Sequence, residues 1–510
     1  MSLFSSAELE LAEGLAAIVY TNPFLPERLV LERRLLGSEF VEVGPARAFT
    51  EGPEGRANTA RLLLRGEPVL AAARARLAAG PGTPAELEVY EGLALFVLYH
   101  RWRDELGALL ADVDEESAGP LRVPWYPRFR EEALAALRPH GRRLPTDLEP
   151  AHLLALLFQV ARAFHQIYVN LIGSSPAAIR LRAAVWQSIF THDIRRYQRA
   201  LYGRMADLAT LVTGPSGTGK ELVARAVARA SYLPFDEPAR SFALDLSALF
   251  LPLHLSALSP QLIESELFGY RKGAFTGALA DRTGWFEACP AGGAVFLDEI
   301  GEIAPEIQVK LLRVLQTRRF QRLGDTRARD FRGKLISATN RDLAAELAAG
   351  RFRADLYYRL CSDHVETPSL AEQVRGDADE LLRLVTFIAR RQVGDEGEAL
   401  ARETLAWIES ELGLDYPWPG NFRELEQCVR NVLVRKRYEP RPLARAAPLE
   451  DLVRRLRALE PTADELLRAY CTLVYAREGS FDGAARHLDL DRRTVRAKVD
   501  PELLERLARG

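Results

Sequence analysis

"LATLVTGPSGTGKELVARAVARA" (208–230) decides how the middle of the chain folds. It opens as a short apolar, β-branched run, passes through a glycine-rich turn, and continues with apolar residues at helical spacing. Strand, glycine turn and helix in that order are the setting of a phosphate-binding loop. Gly214, Gly217 and Gly219 let backbone N–H groups converge on phosphate oxygens, helped by the N-terminus of the helix that follows. Lys220 brings a point charge to the β- and γ-phosphates. The common form places Ser or Thr after the lysine, to touch Mg²⁺; here that position is Glu221.

Three stretches downstream extend the pattern. "GGAVFLDEIGE" (292–302) is an apolar strand ending in two carboxylates. Asp298 is placed to hold Mg²⁺, and Glu299 to orient and polarise an attacking water. Alone this is a weak signal; beyond a phosphate loop it argues an ATPase. "LISATNRDL" (335–343) is another buried strand with polar residues at its end, so Thr339 and Asn340 are within reach of the water or γ-phosphate. "KGAFTGAL" (272–279) is too glycine-rich for a helix interior and reads as a turn with Phe275 at its tip. Short β-branched runs, "FALDLSAL", "GGAVFLDE" and "GKLISATN", alternate with helical segments and predict a parallel α/β sheet.

The chain has 510 residues, 48% hydrophobic and 27% charged, with a formal net charge of −2; several domains are expected and no signature of disorder is present. Near-neutral charge announces neither nucleic acid nor membrane, so any basic surface is local. Four scattered cysteines, with no Cys-x-x-Cys pair, suggest core thiols of a reducing compartment. The N-terminus, "MSLFSSAELELAEG", is acidic where a signal peptide is basic and then apolar. The most apolar window, 152–173, contains Arg162 and two histidines and reads as a buried amphipathic helix, not a membrane span. A cytoplasmic location follows as the expectation.

Residues 1–172 show helical spacing throughout and lack the strand-and-acid alternation of a receiver domain. Tyr99, Trp102, Trp125 and Tyr126 read there as core and not as a ligand cage. The α/β region runs over 173–370, a helical segment over 371–440, a linker over 441–461 and a small helical unit over 462–510. In that last unit "EGSFDGAARHLDLDRRTVRAKV" (478–499) fits a helix-turn-helix. Arg492, Arg493, Thr494, Arg496 and Lys498 lie on its second helix as candidate DNA contacts, with Val495 facing inward.

Seven stretches in one order, "GPSGTGKELVARA", "ESELFGYRKGAFTGAL", "GGAVFLDEIGE", "IQVKLLRVLQ", "SATNRDL", "GRFRADLYYRL" and "WPGNFRELEQ", closely resemble the AAA+ domain of bacterial enhancer-binding proteins, the activators of sigma-54 RNA polymerase. The resemblance covers 173–435, and the last unit resembles the Fis-type helix-turn-helix that ends most such activators. In this family Glu221 is no defect. The resemblance implies ATP and Mg²⁺ as cofactors. It implies an ATP contact set of Gly214, Pro215, Ser216, Gly217, Thr218, Gly219, Lys220, Glu221, Leu222 and Arg423, the last being the sensor arginine of the helical lid. Arg353 and Arg359 match arginine fingers, which neutralise charge in a neighbour's phosphoryl transfer and are worth roughly 10³–10⁵ in rate where measured. Gly273, Ala274, Phe275, Thr276, Gly277 and Ala278 match the loop that touches sigma-54.

The same resemblance implies upstream promoter DNA as a partner, a homo-oligomer that is a dimer at rest and a hexameric ring when active, and an N-terminal domain that gates the ATPase in response to an unnamed signal. Trp418, Pro419 and Gly420 form the turn before the sensor helix, with Asn421 as its cap. Several stretches depart: 250–261 and 191–207 are longer than expected, 367–377 lacks the customary arginine after its leucine, and one strand position differs. The family's asparagine in the strand before "SELFG", which restrains the catalytic glutamate, has its best match here in Asp245. Two other readings fit the same motifs: a DNA-binding regulator with an inactive ATPase, and an AAA+ remodeller of another substrate.

Overall fold

The computed structural model describes residues 2–42, 53–111, 119–242, 246–440, 461–501 and 503–504. The chain divides into two compact units, 1–436 and 437–510. The larger unit begins with helices α1 (Ser6–Tyr20), α2 (Pro26–Leu36), α3 (Pro53–Ala79), α4 (Pro84–Arg101), α5 (Arg103–Ala111), α6 (Tyr126–Leu137), α7 (Pro150–Asn170) and α8 (Pro176–Phe190), with one short strand, β1 (Leu121–Arg122), between α5 and α6. Several starts are fixed by their caps. Ser5 and Thr83 each accept from the N3 backbone while Glu8 and Glu86 reach back to them, satisfying two orphan donors per helix.

The next strands are β2 (Thr210–Thr213), β3 (Phe235–Asp236), β4 (Ser241–Phe242), β5 (Phe250–His254), β6 (Gly269–Tyr270), β7 (Arg282–Thr283), β8 (Ala294–Asp298), β9 (Arg319–Phe320), β10 (Arg329–Asp330), β11 (Lys334–Thr339) and β12 (Asp363–Glu366). The expected parallel sheet is present, in the order β12-β2-β11-β8-β5. All four of its pairings are parallel. Both faces are covered, which is why its strands read as nearly continuous apolar runs. Alternation sorts the side chains. Val212, Phe296 and Ile336 face one core together with the phosphate-loop helix (Lys220–Arg229). Leu211, Val295, Leu297 and Leu335 face the other.

Among its described residues, "FALDLSAL" supplies no strand of this sheet. Ser241 and Phe242 form β4, which lies between β1 and β3 in a small antiparallel sheet. Residues 246–249 make a 3₁₀ turn, and Asp245 lies outside the described residues. The strand beside β8 is β5, in the segment that follows. It pairs Phe250 with Ala294 and His254 with Asp298.

The N-terminal helices share a core with the α/β region. Phe158 of α7 stacks on Phe242 at 4.6 Å, and Tyr126 of α6 meets Phe235 at 4.6 Å. α7 also closes the C-terminal end of the phosphate-loop helix, where the last carbonyls have no intrahelical partner. Arg162 donates to Arg229 O at 2.8 Å and to Ser231 O, and Gln159 Nε2 donates to Ala230 O at 2.9 Å. Tyr197 O–H in turn holds Gln159 Oε1 at 2.8 Å. A cation on helix carbonyls is favourable, but burial pulls the Arg162 pKa down to about 9.

Beyond the sheet come the lid helices Ala378–Val393, Gly397–Glu411 and Asn421–Arg435. The smaller unit holds helices Ala463–Glu478, Phe481–Leu488 and Arg492–Lys498. They pack around Val474, Ala484 and Val495, and Asp489 in the left-handed region makes the turn before the last helix. Of the expected linker, 441–460 lies outside the described residues. Three of the four cysteines, Cys289, Cys428 and Cys471, are buried. No described helix is long and apolar enough to cross a membrane.

Arg162→Met leaves the two carbonyls at the end of the phosphate-loop helix without their donor. A loss of about 1–3 kcal/mol is expected, read as a lower urea midpoint of the full chain by tryptophan fluorescence. An unchanged midpoint would show that the α7 contact carries no stability.

Candidate functional site

The carboxyl ends of β2, β8 and β11 converge where a parallel sheet places its ligands. The loop 214–219 leaves β2 there. Gly214, Gly217 and Gly219 all have positive φ, at 142°, 78° and 87°. Two of these glycines are also forced by contact. A Cβ on Gly214 would lie 2.1 Å from Thr367 Oγ1, and one on Gly217 would lie 2.4 Å from Gly420 O. Thr218 Oγ1 reaches Thr367 Oγ1 at 2.6 Å and Pro215 O at 2.9 Å, so this hydroxyl holds the loop's shape.

Lys220 Nζ donates to Gly214 O and Pro215 O at 3.0 Å each. Burial pushes its pKa down, while Glu299 and Asp298 oppose that shift. Asp298 Oδ1 accepts from Glu299 N at 3.1 Å. Glu299 sits in the left-handed region at φ 57°, a strained conformation for a non-glycine residue that points its carboxylate toward β11. Its Oε2 accepts from the backbone N–H of Asn340 at 3.3 Å. Thr339 is fully buried, and its Oγ1 accepts from Arg341 N at 3.1 Å. Asn340 thus meets Glu299 through its backbone, and the Thr339 hydroxyl is occupied by the turn that follows it.

One residue of the site was not legible in the sequence. His254 ends β5, and its Nδ1 lies 3.2 Å from Asp298 Oδ2. It ends the strand beside β8, where Asp245, outside the described residues, was expected. The register of β5 against β8 is what identifies it, and the sequence offered only an apolar run, "FLPLHL", interrupted by a proline.

The lid closes over the loop. Asn421 does not cap its helix: its side chain donates to Ser216 O at 2.9 Å and accepts from Leu370 N at 2.8 Å. Phe422 N donates to Gly217 O at 3.1 Å, and Arg423 Nη1 reaches Ser216 Oγ at 3.2 Å. Glu424 takes over as the reach-back group, accepting from Gly420 N at 2.7 Å. Lys220, Glu221, Leu222, Asp298, Glu299 and Arg423 line one cavity.

Arg353 and Arg359 do not line that cavity in their own chain. Arg353 holds Asp355 in a two-bond pair at 3.0 and 2.7 Å. Arg359 is exposed and forms no ion pair among the described residues. Glu221 pairs with Arg225 at 3.0 Å, on the helix surface.

The residues fit a Mg²⁺-nucleotide. The cradle excludes a Cβ at Gly214 and Gly217, and Lys220 and Arg423 line the cavity beside it. Among the described residues no three His, Cys, Asp or Glu groups are placed to hold a metal ion by themselves. A lone Asp298 suits Mg²⁺, which keeps waters and takes its remaining ligands from substrate phosphates.

The 272–279 turn stands on the two-stranded ribbon β6–β7. Gly273 and Gly277 have φ of 82° and 103°, and Gly273 N donates to Ala278 O at 2.9 Å. Phe275 is 46% exposed, and among the described aromatic rings it meets Tyr270, at 5.0 Å. Thr276 is exposed and Ala278 buried. A second hairpin, β9–β10, flanks the ribbon, with Arg271 N donating to Leu323 O at 3.0 Å and Leu323 N to Gly269 O at 2.9 Å.

In the smaller unit Arg492, Arg493 and Arg496 are exposed. Arg492 lies 3.5 Å from Asp482. Thr494 and Lys498 are turned inward, Thr494 to the cap residue Asp491 and Lys498 to Asp464 on the first helix of the unit.

The family model described as the Sigma-54 interaction domain matches residues 190–366. The hydrogenase transcriptional regulatory protein HoxA of Bradyrhizobium diazoefficiens is 38% identical over 319 residues, covering 60% of this chain and 61% of that one. The transcriptional regulatory protein ZraR of Salmonella typhimurium is 40% identical over 305 residues, covering 58% and 63%. The Nif-specific regulatory protein of Herbaspirillum seropedicae is 43% identical over 260 residues, covering 51% and 42%. The chain spans less than two thirds of the length of each. Among solved structures, NtrX from Brucella abortus aligns at 23% identity and a TM-score of 0.39, covering 74% of this chain and 80% of that one. Residues 190–366 match the sigma-54 interaction domain, an AAA+ ATPase module, and over that span the sequence resemblance to sigma-54-dependent regulators is borne out.

Asn421→Ala removes one bond to the phosphate loop and one to the segment after β12. The expected result is nucleotide affinity weakened about 5–100-fold, measured by titration with a fluorescent ATP analogue. Unchanged affinity would mean that the lid's hold on Ser216 does not shape the cradle.

Proposed function

We propose that this chain is an ATP-driven activator of transcription by sigma-54 RNA polymerase, bound to DNA upstream of its promoters. The observation that carries the reading is a short covalent path. β5 ends at His254 beside Asp298, the helix Pro260–Phe268 follows at once, and it delivers the chain to β6 and the loop bearing Phe275. A change at the carboxylate end of the cleft reaches an exposed aromatic through one short helix.

The roles follow from position. Lys220 and the backbone of 214–219 hold the β- and γ-phosphates, and Arg423 fixes the lid over them. Asp298 holds Mg²⁺, which supplies charge neutralisation at the phosphates when bound. Glu299, steadied by Asn340 N–H, polarises the attacking water, and Thr339 keeps the Asn340 backbone in place. Arg353 and Arg359 serve the cleft of the next subunit, so the working form is a homo-oligomeric ring, hexameric when active and dimeric at rest. That neither lines the cavity of its own chain supports this assignment. Gly273 and Gly277 are the hinges of the sigma-54 contact, and Ala274, Phe275, Thr276 and Ala278 form its tip and base. Arg492, Arg493 and Arg496 approach DNA from the last helix. Thr494 and Lys498 act there only on release of their partners Asp491 and Asp464. The chain works in the cytoplasm, and residues 1–172 gate it.

Glu299→Gln is expected to keep nucleotide binding and to lower ATP turnover about 10²–10⁴-fold, measured by phosphate release at high protein concentration. No turnover in the unaltered chain would favour a DNA-binding regulator with a silent ATPase. Phe275→Ala is expected to keep turnover and lose promoter activation. Activation that survives removal of sigma-54 would point to an AAA+ remodeller of another substrate.

A further inference from the structure

Arg353 and Arg359 are both exposed, but the fold holds them differently. The backbone at Arg353 is fastened from inside. Phe352 and Leu356, on either side of it, are buried in the core that also contains Ile303, Ile307 and Leu311. Between them Arg353 N donates to Gln308 Oε1 at 2.9 Å. Gln308 belongs to the helix Pro305–Thr317 and is only 1% exposed. Its Nε2 donates to Ile303 O at 3.1 Å and to Arg351 O at 2.9 Å. A buried amide bonded at both its oxygen and its nitrogen has one orientation. Gln308 therefore ties the turn at 351–353 to the segment that follows Glu299.

The side chain of Arg353 is fastened as well. Its Nε and Nη2 donate to Oδ1 and Oδ2 of Asp355 at 3.0 and 2.7 Å. Asp355 Oδ1 also accepts from Leu356 N at 2.8 Å, which fixes the carboxylate to the first turn of the helix Ala354–Leu360. A single bond between exposed charges is weak. A two-bond fork sets the plane of the guanidinium as well as its distance. The Arg353 fork holds the Asp355 carboxyl below its usual range, so the pair stays charged at neutral pH. The Nη1 edge makes no hydrogen bond among the described residues and is left for another acceptor. Arg359 has no comparable restraint: its side chain forms no ion pair among the described residues.

We propose that Gln308 and Asp355 are positioning residues for Arg353, presetting its guanidinium with the Nη1 edge outward for the phosphates in a neighbouring subunit's cleft. This rests on the reading of Arg353 as a group that serves the next subunit. Neither residue lines the nucleotide cavity of its own chain, so each acts through the arginine. A guanidinium already oriented loses less freedom on reaching a phosphate than one gathered from many rotamers. Because the Nη1 edge is open, Arg353 can act while Asp355 stays bound.

Phosphate release by the full chain tests this. Arg353→Ala is expected to lower kcat about 10³-fold. Asp355→Ala and Gln308→Leu are each expected to lower kcat about tenfold and to move KM for ATP less than about threefold. Arg353→Ala combined with Asp355→Ala is expected to be no slower than Arg353→Ala alone. Mixing separates positioning from damage to the fold. In a mixed assembly of Asp355→Ala with Lys220→Ala chains, the intact cleft of the first meets the intact Arg353 of the second. Turnover per intact cleft is expected to return to within about threefold of the unaltered chain, whereas a folding defect in the Asp355→Ala chain would not be cured by its neighbour. Asp355 lies on the surface, so its variant decides the matter even where Gln308→Leu lowers the thermal midpoint. Unchanged or raised turnover in Asp355→Ala, additive losses in the double variant, or no recovery on mixing would each overturn the proposal. Full turnover in Arg353→Ala would remove the arginine's role in the neighbouring cleft itself, and the positioning proposal with it.

Discussion

The peptide between Ser216 and Gly217 carries this structure. Its flanking carbonyls point away from the phosphate side and need donors, and the lid supplies them through Asn421 and the Phe422 N–H. The close approach of Gly217 to Gly420 O leaves no space for a side chain on the loop. A loop that turns its N–H groups inward must turn carbonyls outward. The lid is therefore the second half of the phosphate cradle, and its first turn is built around that duty. Asn421 adopts a positive φ of 52° and gives up the capping role its position suggests, leaving that to Glu424.

How much of this could be read from sequence varies with the range of the interaction that fixes it. The phosphate loop, the acidic strand end and the glycine hinges are local, so residue type and spacing expose them. The strands β2, β8 and β11 are legible because burial on both faces makes them uniformly apolar. β5 is not, because "FALDLSAL" and "FLPLHLSAL" look alike at short range. Only pairing against β8 selects the second, and that pairing sets His254 beside Asp298. A proline, Pro252, also marks β5 down as a strand in sequence; it is tolerated because β5 is the edge strand of the sheet.

The N-terminal third divides in the same way. Its helices announce themselves through periodicity, but their docking is non-local. Arg162 reads as a polar interruption of an apolar helix until the carbonyls of residues 229 and 231 are placed around it. Trp102 and Tyr126 are the core residues that composition suggests. Tyr99, a few positions along the same stretch, lines a cavity instead. Nothing in residue type separates these cases; the packing partners do.

Gly324, in the hairpin beside the exposed loop, has a consequence of its own. It sits at φ 72°, and a Cβ there would come within 2.8 Å of Ala274. With Leu323 bonded on both sides to Arg271 and Gly269, the two hairpins are laced together at the root. Force applied to Phe275 is shared across a bracket of two ribbons instead of bending one finger. A push along that bracket returns to the sheet through two anchor points, so the tip can bear load that a lone glycine loop would dissipate.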